Sequence, residues 1–214
     1  MPISKQVVLL CGLILILISN VGSETFPVSE PNRGIVKHGY TSVVRAEVGF
    51  IAASFNGHID WISDAGVITK SQRIPGVVLN SILAFKQNII AIGGQSIMFF
   101  TSNIDSFSKP DFETDIKINT LTLFNEIIVA GAEEGEILVG NESGFLTAIQ
   151  LDLKGKIVSL SANTTECYGI TNKGEIIQSS DGLNWCVFDF NKTYAGFYNH
   201  CQFIKILATE NQIT

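Results

Sequence analysis

A short motif recurs along this chain at a nearly constant interval, and that interval limits the possible folds more than any other property. The sharpest copy is Ser179-Ser180-Asp181-Gly182-Leu183-Asn184-Trp185. A short hydroxyl side chain, an acid two positions later and then glycine make a turn. The side-chain oxygens bond nearby backbone N–H groups, and glycine permits positive φ. The aromatic four residues after the acid returns the chain to an apolar strand, so the stretch predicts a hairpin held by Ser179, Asp181 and Gly182 and anchored by Trp185. Worn copies keep the positions rather than the identities. Thr101-Ser102-Asn103 reaches Phe107, Val139-Gly140-Asn141 reaches Phe145, and Ile62-Ser63-Asp64 reaches Ile68. The steps from Asp64 to Asn103, Asn141 and Asp181 are 39, 38 and 40 (103 − 64, 141 − 103, 181 − 141). A period of about 40 residues belongs to propeller blades and to some helical repeats.

Strand content decides between them. Each period shows four short runs rich in Ile, Val, Phe and Thr. The first runs are Ser42 to Glu47, Ser81 to Lys86, Thr120 to Asn125 and Ile157 to Ala162, and the second are Phe50 to Phe55, Ile89 to Gly93, Ile127 to Ala132 and Cys167 to Thr171. The third follow a turn marked by glycine: His58 to Ile62, Ser96 to Thr101, Glu136 to Gly140 and Glu175 to Ser179. The fourth lie beyond the Asp or Asn turn: Val67 to Ile74, Phe107 to Phe112, Phe145 to Leu151 and Trp185 to Phe190. Runs this short, separated by Gly, Asn and Asp, are strands. Four strands in about 39 residues is the content of one propeller blade. Runs such as Ile89-Ile90-Ala91-Ile92 do not alternate with polar residues, as expected where stacked sheets bury both faces.

The predicted fold is therefore all-β: a β-propeller of about four complete four-stranded blades plus the start of a fifth. The blades run approximately over 41–75, 76–115, 116–152 and 153–191, with a partial unit at 192–214 whose first strand is expected from His200 to Leu207. An open ring leaves a sheet face wet, so the expectation is a truncated or partial propeller, or one completed by a partner or by self-association.

The Ser-x-Asp-Gly-x-x-Trp stretch at Ser179 to Trp185 resembles the Asp-box, or BNR repeat, of secreted bacterial propellers, among them sialidases and photosystem-assembly-factor-like proteins, and most of all secreted propellers of Bacteroides-type bacteria. The resemblance runs from about Tyr40 onward. It implies that Ser179, Asp181, Gly182 and Trp185, with the weaker Asp64, Asn103 and Asn141, are structural turn residues at the edge of a blade.

Lys5 followed by the apolar run Val7 to Ile18 and the small residues before Glu24 reads as a secretory signal peptide over 1–23. Residues 24–40, with Pro27, Pro31 and Gly34, form an extended lead-in. The expected location is outside the cell, or in the periplasm or envelope. Without residues 1–23 the chain keeps 13 basic and 20 acidic residues, a net charge of −7 (13 − 20), which argues against nucleic acid or an anionic membrane surface as partner. After signal removal no membrane span is expected. Cys167, Cys186 and Cys201 have no metal-ligand spacing, and no metal or other cofactor is predicted.

No catalytic set is legible. Arg73, in Arg73-Ile74-Pro75, resembles the sialidase arginine that grips a substrate carboxylate, chemistry that suits a guanidinium. No arginine follows it in the chain, however, and that family needs three. Tyr194, Phe197, Tyr198 and His200 form an aromatic group able to stack on sugars. Those four residues and Arg73 are the ligand-binding candidates. The function expected is a non-enzymatic binding or interaction protein for a glycan, peptide or protein. The alternatives are a fragment of a sialidase-like glycoside hydrolase and an envelope assembly factor.

Overall fold

The computed structural model describes residues 39–86, 88–93, 97–103, 106–108, 116–141, 144–193 and 204–209. They form four antiparallel sheets of four strands, each sheet taking its strands in chain order. Blade 1 contains β1 (Tyr40–Arg45), β2 (Phe50–Ser54), β3 (His58–Ile62) and β4 (Ile68–Arg73). Blade 2 contains β5 (Leu79–Phe85), β6 (Asn88–Gly93), β7 (Ile97–Asn103) and β8 (Ser106–Ser108). Blade 3 contains β9 (Ile118–Phe124), β10 (Ile127–Ala132), β11 (Glu136–Asn141) and β12 (Gly144–Gln150). Blade 4 contains β13 (Ile157–Ala162), β14 (Cys167–Thr171), β15 (Glu175–Ser179) and β16 (Cys186–Asp189), followed by a single helical turn, α1 (Phe190–Thr193).

The first strands β1, β5, β9 and β13 lie beside one another in succession and form the inner wall. Three aliphatic junctions join the blades. Ile51, Ala53, Ile59 and Trp61 of blade 1 meet Leu79, Ile82, Ile89 and Ala91 of blade 2. Ile90 and Ile92 meet Ile118, Leu121, Ile128, Ala130 and Leu138 at the second junction. At the third, Phe124, Val129, Ile137 and Val139 meet Ile157, Leu160, Cys167 and Ile177. The second strands of blades 2 and 3, β6 and β10, thus serve two junctions, one per face, which is why their sequences do not alternate. Each fully buried Ile or Leu contributes about 1.5–3 kcal/mol relative to exposure.

A second device repeats with the strands. Every inner strand carries a one-residue bulge, at Thr41, Asn80, Asn119 and Val158, in steps of 39 (80 − 41, 119 − 80, 158 − 119). The next residue is always a hydroxyl: Ser42, Ser81, Thr120 and Ser159. In two blades the bulge side chain donates to the neighbouring inner strand, Thr41 Oγ1 to the Leu79 carbonyl at 2.6 Å and Asn119 Nδ2 to that of Ile157 at 3.2 Å. The hydroxyls accept from that strand in return: Ile82 N–H reaches Ser42 Oγ and Leu160 N–H reaches Thr120 Oγ1, both at 3.2 Å. Because a bulge turns an unpaired residue out of the ladder, the inner edge of one blade is stitched to the next by side chains rather than by a continuous sheet.

The partial fifth unit differs from expectation. Of the expected strand, 200–203 fall outside the described residues, and 204–209 run as an extended segment with a single bridge at Ala208 rather than as a strand. The segment still takes an inner-strand place. Ile206 N–H donates to Ser159 Oγ at 3.2 Å and Ala208 N–H to Ser161 Oγ at 3.0 Å, while both side chains pack on Tyr168 and Ile170. The fourth strand of blade 4 begins at Cys186, one residue later than expected, because the Trp185 indole is tied into the preceding turn.

Candidate functional site

Antiparallel order sorts the connections onto two rims. The links between blades and the turns between second and third strands lie on one rim; the remaining turns, with the Asp181 hairpin, lie on the other.

In that hairpin Ser179 Oγ accepts from Gly182 N–H at 2.8 Å and donates to Asp181 Oδ1 at 3.0 Å. Asp181 Oδ1 accepts from Leu183 N–H at 2.8 Å and Asn184 N–H at 2.7 Å, and Oδ2 accepts from the Asn184 amide at 2.7 Å. These bonds, those from Asn184 first, hold the carboxyl well below the ordinary carboxylate range. Gly182 takes φ +76°, and a Cβ there would lie 2.7 Å from Ile127 Cδ1 of blade 3. Trp185 Nε1 donates to the Gly182 carbonyl at 3.0 Å, and the half-buried indole packs on the junction between blades 3 and 4. The turn therefore docks onto the preceding blade.

The weaker copies are built differently. In the turn after β3, Ser63 makes the backbone contact, with its Oγ accepting from Val67 N–H at 3.2 Å. Asp64 points outward to Arg45, 2.5 Å away, whose guanidinium also sits over the Phe50 ring. Asn103 ends β7 opposite Ser106, and Asn141 ends β11 opposite Gly144.

On the other rim, charged side chains bridge the links. Glu133, in the turn between β10 and β11, lies 3.4 Å from Lys156 Nζ and 3.6 Å from Lys117 Nζ, one lysine from each flanking link. Its burial pushes the pKa up, but the Asn119 amide and the two ammonium groups outweigh that and hold it below the ordinary value. The acid run Glu133-Glu134-Gly135-Glu136 is thus partly neutralised by lysines. Lys154 Nζ pairs with Asp189 at 2.5 Å, and buried Glu175 accepts the Lys154 N–H through both oxygens at 3.0 Å. Arg73 closes β4 on this rim, exposed and in register with His58. Tyr194, Phe197, Tyr198 and His200 lie outside the described residues.

Sequence reasoning missed one polar group. Asp60 is fully buried in β3; Tyr40 OH donates to its Oδ2 at 2.7 Å and Ser71 Oγ to its Oδ1. His58 Nδ1 lies 3.4 Å from Ser71 Oγ. Burial first, then the Asp60 carboxylate, push the Tyr40 phenol up from its ordinary value. The signal was available as a break in period. Tyr40 stands where Leu79, Ile118 and Ile157 stand in later blades, and Asp60 where Leu138 and Ile177 stand, at multiples of 39.

Cys167 is buried, which pushes its thiol up to about 12, and Cys186 is exposed; both are free. Among the described residues no three His, Cys, Asp or Glu are grouped to hold a metal, and no helix is long and apolar enough to cross a membrane.

No protein-family model and no curated protein matches the chain. Solved structures do. The computationally designed Ika8 protein is similar over 81% of this chain and 54% of its own, at TM-score 0.61 and 11% identity. The RRP9 WD40 repeats are similar over 71% of this chain and 51% of their own, at TM-score 0.62 and 10% identity. The designed Ika4 protein is similar over 73% of this chain and 94% of its own, at TM-score 0.52 and 10% identity. At such identities the likeness shows the fold, that of a β-propeller, and the chain spans about half the length of the first two.

Proposed function

We propose that this chain is a secreted or envelope-exposed propeller of the Asp-box type that works by binding a protein, peptide or glycan on its link-bearing rim, without catalysing a reaction. The observation that carries this is the rim around Glu133. Side chains from three successive connections, Lys117, Glu133 and Lys156, are held together at 3.4–3.6 Å across the third junction, with Lys154 and Asp189 beside them. A rigid scaffold that fixes mixed charges on short loops suits recognition, since little entropy is lost when those loops are engaged. Arg73, at the end of β4, stands on the same rim. The hairpin geometry at Ser179 to Trp185 supports the Asp-box assignment, with those residues serving the fold rather than the ligand.

The test is a screen of the full chain against glycan and peptide arrays, followed by titration of each hit with the unmodified protein and with Lys156→Glu. About a tenfold or greater loss of affinity in the variant, with unchanged circular dichroism, is the expected result. Equal binding by the variant moves the site off this rim. Turnover of a sialoside by the unmodified chain would overturn the non-enzymatic reading.

A further inference from the structure

We propose that the link-bearing rim binds an extended acidic peptide, one that carries a large apolar side chain about three residues from a carboxylate. This rests on the binding reading above and names the chemistry of the partner.

Its basis is a single position of the repeat. The residue just before each inner strand stands where the link-bearing rim meets the inner wall. In blades 1 to 4 it is Gly39, Val78, Lys117 and Lys156, in steps of 39 (78 − 39, 117 − 78, 156 − 117). In three blades a backbone bond ties this position to the turn between the second and third strands. Phe55 N–H donates to the Gly39 carbonyl at 3.1 Å, Glu133 N–H to that of Lys117 at 2.9 Å and Asn172 N–H to that of Lys156 at 3.1 Å. In blade 1 the turn supplies the side chain that the link lacks. A Cβ on Gly39 would lie 2.5 Å from Phe55 Cε1, so the phenyl ring lies over the glycine, in the place a side chain would take.

The inner strands neighbour one another in order, so these positions form an arc whose chemistry changes halfway. Phe55 and Val78 are apolar, yet 53% and 51% exposed. Lys117 and Lys156 follow, with side chains 50% and 40% exposed, and share one carboxylate, Glu133. Two ammonium groups around one carboxylate leave one positive charge over (2 − 1). Glu134 and Glu136 lie on the outer-strand side of that turn: Glu134 N–H donates to Glu136 Oε2 at 3.1 Å, and the Glu134 carbonyl accepts from Gln150 of β12 at 3.0 Å.

Complementarity then selects the ligand. An apolar side chain laid on Phe55 and Val78 takes surface out of water, and a carboxylate meets the lysines. Val78 and Lys117 are one blade apart, and stacked sheets lie about 10 Å from each other. A peptide in the polyproline II conformation advances about 3.1 Å per residue and returns to the same face every third residue, so its positions i and i+3 match that gap. A sugar fits less well, because Val78 offers no hydrogen bond to the hydroxyls it would cover.

The test is fluorescence anisotropy on the full chain with labelled heptapeptides. One carries phenylalanine and glutamate three residues apart, made in both orders; the controls replace the phenylalanine by serine or the glutamate by glutamine. The better order should bind about tenfold or more tighter than either control. Lys117→Ala should abolish the preference for glutamate over glutamine, and Val78→Ser the preference for phenylalanine over serine, each with unchanged circular dichroism. If Val78→Ser does not fold, Phe55→Ser reads the same half. Preferences that survive these variants overturn the proposal, as does equal affinity for all the peptides. If that equal binding is still lost in Lys156→Glu, the rim reading stands without the proposal. A uronic-acid oligosaccharide that binds through Lys156 while no peptide binds has the same two consequences. Indifference of every probe to Lys156→Glu sinks both.

Discussion

The junction between blades 3 and 4 and the leading face of blade 1 occupy equivalent places in the repeat but are built from different chemistry. At the junction, Ile157 and Ile177 are fully buried among aliphatic neighbours. On the leading face the same positions hold Tyr40 and Asp60, joined by a hydrogen bond, beside exposed Val43 and Phe50. A repeat can therefore keep its backbone while one face changes from a packed core to a surface that tolerates water. The aliphatic face stabilises only when covered; the polar group is satisfied either way.

The contrast is broken most severely by truncating the covered face. Ile137→Ala, at a fully buried position of the third junction, should cost about 2–5 kcal/mol in urea unfolding, whereas Val43→Ala, at an exposed position, should cost under about 1 kcal/mol. Equal losses would mean that the leading face is already covered in solution. Next in size is Asp60→Ala, which strips the Tyr40 and Ser71 hydroxyls of their acceptor and should destabilise by about 1–3 kcal/mol. Gly182→Ala forces a side chain into the left-handed region and against Ile127; a loss of about 1 kcal/mol is expected, seen as a lower urea midpoint. The smallest effect belongs to Arg45→Ala. It removes an exposed ion pair with Asp64 and should shift stability by less than about 1 kcal/mol, vanishing in high salt.

The two ends of the pH scale separate the same regions. Asp181 titrates below its unfolded value, so its contribution is complete above the ordinary carboxylate pKa of about 4 and fades as pH falls. Tyr40 titrates above its unfolded value, so its contribution is complete below the ordinary phenol pKa of about 10 and fades as pH rises. Tyr168, raised by burial and by its bond to Glu166, behaves likewise under the 204–209 segment. Hydrogen exchange should therefore show the Leu183 and Asn184 amides loosening first in acid and β1 loosening first in alkali. The Asp181→Asn variant should remove the acid sensitivity of the turn.

The strand order was legible because it rests on local chemistry. Glycine, asparagine and aspartate punctuate short β-branched runs, and the turn at Asp181 bonds within its own seven residues. The weaker copies were legible as turns but not in mechanism, since Asp64 is drawn away by Arg45, a partner 19 residues earlier that the turn pattern does not contain. Asp60 was passed over because a polar residue inside a strand gains meaning only when its counterparts, Leu138 and Ile177, are known to face another blade. The bulge and hydroxyl pairs, Thr41-Ser42 through Val158-Ser159, were present in the sequence at constant spacing. Aligning the inner strands instead of the turns would have exposed them.

That constant spacing bears on how the chain folds. The side-chain bonds that stitch inner strands together span 38 to 47 residues. Adding a blade therefore closes a loop of nearly the same size each time, and loop-closure entropy depends only weakly on length, so no blade is penalised by its place in the chain. Folding can begin at whichever blade forms first and spread outward in both directions by equal steps, as expected of a nearest-neighbour array.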